Sequence, residues 1–283
     1  MITTSLVRAK LLTLACIIFI ACSSNEENSH SQLRRHNQSG EYIYRRHEER
    51  LFALNSPHMK EPPPYPWEDP NQSKWPKITK EHFRCKGSHL NPEQVVKNGS
   101  DIERYYDCGG ADRHSLPLQE KKEFIYPILI ELINEIQLQT GKKAVITSGH
   151  RCPTHNTYVD PSKENQTSKH QIGAEVNFYI QGLEQNPKKI IDLIFDYYNK
   201  DPRFNNDSAF TTILRYEKST TNVSTPPWYN KEIFVKLFKA DEGRNFDNRH
   251  PYPYISIQVR WDRDRNERVS YTWKKAHRNF MHL

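Results

Sequence analysis

Between positions 121 and 140, apolar residues at 125, 128, 129, 132, 133 and 136 form a repeating set. Steps of three and four place them on one face of a helix, and Gly141 follows as a stop signal. Pro127 either kinks that helix or marks its first turn. Lys143-Ala144-Val145-Ile146-Thr147-Ser148 reads as a short buried strand. From Ala174 to Ile180 the period changes to two, with Val176, Phe178 and Ile180 on one face and Glu175, Asn177 and Tyr179 on the other. Asn186-Pro187 opens a second helix carrying Ile191, Ile194, Phe195 and Tyr198 along one side. Tyr254 to Trp261 alternates again: Ile255, Ile257, Val259 and Trp261 face one way, Tyr254, Ser256, Gln258 and Arg260 the other. Arg268–Trp273 is the expected hairpin partner of that strand. The pattern predicts one α+β domain with a small, largely antiparallel sheet flanked by helices. Its expected extent is 76–283, with the core at 117–273.

The start of the chain has a different character. Arg8 and Lys10 precede a run from Leu11 to Ala21 broken only by Thr13. At about 11 residues it is too short for a bilayer core, so it reads as a signal peptide over 1–21. Phe19-Ile20-Ala21-Cys22-Ser23-Ser24 resembles the bacterial lipobox, which makes Cys22 the expected lipidation site and predicts an exported, membrane-anchored lipoprotein. The tether expected over 22–75 is rich in Asn, Ser, Glu, Arg and His from Ser23 to about Met59, with a short helix expected around Glu41–Leu54. It then passes through Pro62-Pro63-Pro64-Tyr65-Pro66-Trp67.

Composition narrows the classes. Hydrophobic residues at 35% and aromatics at 11% argue against wholesale disorder and against a polytopic membrane protein. The net charge of +7 suits an anionic surface, yet no Arg/Lys run is dense enough to predict nucleic-acid binding. Five cysteines are too few for a disulfide framework. Export permits disulfides, however, and Cys85 and Cys108 sit in neighbouring turn-like contexts. Their pairing would close a loop of about 24 residues, worth roughly 3 kcal/mol. Cys152 is then left over, read as a small half-buried residue. An activated thiolate beside His150, His155 and His170 is the sharper alternative.

The chemistry concentrates in Ser148-Gly149-His150-Arg151-Cys152-Pro153 and in Ser168-Lys169-His170-Gln171-Ile172-Gly173-Ala174-Glu175-Val176-Asn177. A His leading into a strand that carries a carboxylate holds two metal-type donors on rigid backbone. These two segments resemble the M15 zinc peptidase family, the D-Ala-D-Ala carboxypeptidases and peptidoglycan endopeptidases, over roughly 117–273. The resemblance implies that His170 is a zinc ligand and that Arg151 steadies the substrate carboxylate or the developing oxyanion. It also exposes departures. Asn177 stands where the family has an Asp ligand, Ser256 at the third ligand and Gln258 at the catalytic acid. A neutral amide is a poorer zinc donor than a carboxylate, and Gln cannot shuttle a proton.

Glu175, two residues from Asn177 on the same face, could supply the missing carboxylate. His250 could be folded back by Pro251-Tyr252-Pro253 as a further ligand. Without such a rebuilt site, Glu175 is expected to pair with Arg151 or Arg260. The expectation is therefore a lipid-anchored envelope protein that binds or acts on peptidoglycan stem peptides through Arg151 and Arg260, its zinc site degenerate. The alternatives are an active zinc carboxypeptidase or endopeptidase that uses Glu175, and an interaction lipoprotein that works through its N-terminal segment.

Overall fold

The computed structural model describes residues 75–162, 167–217 and 221–282. The apolar run, Cys22, the helix around Glu41–Leu54 and the Pro-rich entry lie outside the described residues. From Lys80–Phe83, a 3-10 turn, the chain enters a hairpin of β1 (Gln94–Asn98) and β2 (Asp101–Tyr105), then a small one of β3 (Leu118–Gln119) and β4 (Lys122–Glu123). Helix α1 (Pro127–Thr140) follows, then β5 (Ala144–Ser148), α2 (Pro153–Val159), a 3-10 turn at Lys169–Ile172, β6 (Glu175–Ile180) and α3 (Pro187–Lys200). The remaining elements are α4 (Ser208–Thr211), β7 (Leu214–Arg215), β8 (Trp228–Tyr229), β9 (Ile233–Phe238), β10 (Tyr254–Val259), β11 (Trp261–Asp262), β12 (Glu267–Arg268) and α5 (Trp273–His277).

Six strands form one antiparallel sheet in the order β5-β6-β10-β9-β8-β7. Alternation assigns its two faces. Val176, Phe178, Val235, Ile255 and Ile257 join a core with Leu129, Leu132, Ile133 and Ile136 of α1 and Ile190, Ile191, Ile194 and Tyr198 of α3. The opposite face carries Glu175, Asn177, Lys236, Ser256 and Gln258. The structure is thus α+β with a mostly antiparallel sheet.

Pro127 proves to be the first residue of α1, where its missing N–H costs nothing, and Gly141 ends the helix with φ 62°. Asn186 caps α3, its side chain accepting from the Lys189 N–H. The hairpin partner expected over Arg268–Trp273 is shorter: Glu267–Arg268 pairs with Trp261–Asp262, and Trp273 starts a helix capped by Thr272.

Candidate functional site

Register lines up the polar face. Ser148, Asn177, Ser256 and Lys236 sit opposite one another on β5, β6, β10 and β9, and Glu175, Gln258 and Phe234 form the neighbouring row. A register shift between Ile146 and Ser148 ends β5, and Gly149 follows. An added Cβ on Gly149 would lie 2.5 Å from Phe83 Cα, so only glycine lets the chain pass there into the Arg151 loop.

Glu175 is buried on the floor of this face. Its Oε1 accepts from Ser256 Oγ at 2.8 Å and from Gln258 Nε2 at 2.9 Å, and stands 3.7 Å from His170 Nε2. His170 is held by the backbone: its Nδ1 is 2.6 Å from the Gly149 carbonyl, an acceptor only, so Nδ1 carries the proton and Nε2 the lone pair. Burial outweighs the attraction of Glu175 and pulls His170 down to about 4. For Glu175 burial acts upward, but His170, Lys236 and the two hydrogen bonds overcome it and hold the carboxyl at about 2. At neutral pH the floor is therefore a carboxylate facing a neutral imidazole. Asn177 Oδ1 beside it has no partner among the described residues.

Arg151 enters from the loop after β5. Its Nε contacts Ser148 Oγ at 2.7 Å and Asp247 Oδ2 at 2.8 Å, while Nη2 is buried without a partner among the described residues. Behind it runs a buried chain: Asp247 Oδ1 lies 3.1 Å from His155 Nε2, and His155 Nδ1 lies 2.6 Å from Asp107 Oδ1. Burial would lower His155, but the two carboxylates raise it to about 9. Burial likewise opposes the charge on Asp247, and Arg151 with His155 overcomes it, keeping the carboxyl well below its usual range.

A cavity of about 520 Å³ lies over Arg151, His170, Glu175 and Asn177. Lys169, Lys236, Gln258 and Tyr271 line it and also line an adjoining space of about 1120 Å³ that reaches Tyr216, Tyr229, Arg260 and Arg268. The two form one groove along the sheet. Arg151, Lys169, Lys236, Arg244, Arg260 and Arg268 supply cations to its walls, against the carboxylates of Asp160 and Glu175. Such a groove favours an extended ligand bearing carboxylates.

Several expected contacts are replaced. Glu175 bonds to neither Arg151 nor Arg260, because Gln258 directly across the strand pair and Ser256 two residues before it reach it first. Arg260 instead donates to the Asn230 carbonyl at 2.6 Å and packs over the Tyr229 ring. His250 stacks among Tyr179, Tyr252 and Tyr254. Catalytic zinc takes three protein ligands and one open position. The cleft offers His170 and Glu175, but Ser256 and Gln258 face the carboxylate as hydrogen-bond donors, and position 177 is an amide. That donor set does not fit a catalytic zinc. Among the described residues, neither His170 nor Glu175 nor His250 belongs to a converging group of three or more His, Cys, Asp or Glu.

Two such groups occur elsewhere and could hold a metal ion. One is Cys85, Cys108, His114 and Cys152; the other is Asp107, Cys108 and His155. The expected Cys85–Cys108 disulfide is not formed: the sulfurs are 3.7 Å apart, against 2.03–2.05 Å for a bond, and Cys152 is also free. Sequence reasoning missed Asp247 and His114. Each lies in an irregular segment where no periodicity marks it, although Cys108 six residues before His114, with Cys152 left unpaired, is a usable signal.

Compared with protein-family models, curated proteins and solved structures, the chain matches none.

Proposed function

We propose that this chain is an exported, lipid-anchored bacterial envelope protein whose M15 peptidase-like domain binds peptidoglycan stem peptides without cleaving them. The cation-lined groove, with the buried and unpartnered Arg151 Nη2 at its inner end, carries the reading. A guanidinium fork desolvated at the head of a groove is suited to a peptide carboxylate. The paired acceptors Glu175 Oε1 and His170 Nε2 complement it, since they suit an incoming N–H or ammonium group. Stem peptides offer both kinds of group. Cleavage is not part of the reading, because Gln258 can neither donate nor take up a proton in the role of a general acid and the cleft lacks a third strong ligand.

One observation favours the second reading, a zinc carboxypeptidase or endopeptidase rebuilt around Glu175. His170 has the ring orientation of a metal ligand, with Nδ1–H on a backbone carbonyl and Nε2 free.

The test is calorimetric titration with a stem pentapeptide ending in a free carboxylate, beside the same peptide amidated at that end. The free acid should bind. Amidation and Lys236→Glu should each weaken it about tenfold, or about 1.4 kcal/mol, and added salt should weaken it further. Absence of binding by either peptide would sink the proposal. Zinc-dependent cleavage that disappears in His170→Ala and Glu175→Ala would establish the second reading in its place.

A further inference from the structure

We propose that Cys85, Cys108, His114 and Cys152 form a structural zinc site that pins three irregular segments together behind the groove. The inference is independent of what the groove binds. The four donor atoms all lie within 4.8 Å of one another. Tetrahedral zinc with Zn–S of about 2.3 Å and Zn–N of about 2.0–2.1 Å requires S···S near 3.8 Å and S···N near 3.6 Å. Cys85 Sγ and Cys108 Sγ are 3.7 Å apart, and Cys108 Sγ is 3.6 Å from His114 Nε2.

The surroundings are those of a ligand set. His114 Nδ1 is 3.1 Å from the Ser115 carbonyl, so it carries the proton and leaves the Nε2 lone pair facing the sulfurs. Backbone amides donate to two of the sulfurs, Gly110 N to Cys108 at 3.4 Å and His155 N to Cys152 at 3.3 Å. An added Cβ on Gly87 would lie 2.1 Å from Cys108 Sγ, so the bare backbone there makes room for the sulfur. Cys85, His114 and Cys152 are each no more than 5% exposed.

Other readings of the cluster fit less well. Three thiols cannot all pair, and a Cys85–Cys108 disulfide would have to close the 3.7 Å gap and would still leave the buried Cys152 thiol in the cluster with His114. Three sulfurs and one imidazole at these spacings are a donor set that tetrahedral zinc satisfies in full, with no open position. On binding, the three thiols release their protons to solvent as the Zn–S bonds form.

The site also bears on the groove. Asp107 precedes Cys108 and binds His155, which reaches Arg151 through Asp247. Cys152 follows Arg151 directly. Zinc would therefore fix both ends of the chain of contacts that orients the guanidinium.

The experiment uses the full-length chain, purified and dialysed, with metal content measured by elemental mass spectrometry and free thiols counted by alkylation. About one zinc per chain is expected. It should be lost in Cys85→Ser, Cys108→Ser, Cys152→Ser and His114→Ala, and retained in His170→Ala, which separates this site from the cleft. Because those variants could fail to fold, the wild-type chain carries a second measurement. Cys85, Cys108 and Cys152, distinguished from Cys16 and Cys22 by peptide mapping, should resist alkylation until a chelator is added, and exchange with Co²⁺ should give thiolate-to-cobalt charge-transfer absorption. A species two hydrogens lighter with a Cys85–Cys108 disulfide would overturn the proposal. So would reactive Cys85, Cys108 and Cys152 with no bound zinc, or zinc that is lost in His170→Ala and kept in the cysteine variants.

Discussion

A single nitrogen of Arg151 contacts both Ser148 and Asp247, and the whole side chain is buried. Breaking a buried pair costs more than the pair contributes, because the remaining charge has no solvent to turn to. Asp247→Asn keeps the size but leaves Arg151 and His155 without a carboxylate between them. We expect a loss of about 3–5 kcal/mol in urea denaturation. Because the folded Asp247 carboxyl titrates below its unfolded value, its contribution is present above that unfolded value and is lost as pH falls; the variant should show a shallower acid limb. The sequence makes half of this arrangement legible. Ser148, Arg151, His170 and Glu175 stand in two short motifs, and the alternation of β10 places Ser256 and Gln258 on the same side. Asp247 stays hidden because it comes from a loop 96 residues after Arg151, with nothing local to mark it.

Periodicity finds elements when one face is buried and the other is wet. That is why α1, α3, β6 and β10 are readable, and why β9, running Ile233-Phe234-Val235-Lys236-Leu237-Phe238, is not: its nearly continuous apolar run has no sharp alternation. The miss matters, since β9 supplies Lys236 to the groove. Just before β9, Glu232 ties three elements together. Its carbonyl accepts from Arg260 N at 2.7 Å and Trp261 N at 3.3 Å, and its carboxyl accepts from Tyr198 Oη of α3 at 2.9 Å. Burial lifts this carboxyl to about 7 despite the opposing pull of Arg263. The folded state therefore holds a proton that the unfolded chain releases near 4.5. Stability should be full below that value and fall as pH rises toward 7, by up to about 3 kcal/mol. Thermal melts between these limits should show the decline, and Glu232→Gln should flatten it. At the β5 exit, Gly149→Ala would drive a methyl into the Phe83 backbone and cost at least about 1–3 kcal/mol, read as a lowered melting temperature.

At the scale of the whole molecule, the groove and the cysteine–histidine cluster are built by residues from Cys85 onward, and on the proposed function the segment before Trp75 serves location and not recognition. On that proposal, a chain beginning at Trp75 is expected to bind the free-acid stem peptide with unchanged affinity and to lack the membrane attachment proposed for Cys22. Loss of binding on that truncation would instead favour an interaction role for the N-terminal segment. The distribution of basic residues into one groove could not be read from the net charge of +7, because it depends on strands β6, β9 and β10 meeting in one register.

The contacts of residues 279–282 have a consequence for the order of assembly. His114 bridges to His282, Ser115 exchanges hydrogen bonds with Met281, and Leu118 N donates to the Asn279 carbonyl at 2.6 Å. The Ser115–Met281 contact joins residues 166 apart in sequence. Such closure is slow and waits for the rest of the chain. Cys85, Cys108 and Cys152 are therefore all synthesised well before the segment that locks their histidine in place. A chain stalled or clipped before residue 279 would have its thiols but not the clasp beside His114, and under oxidising conditions that interval is when wrong pairings would be made.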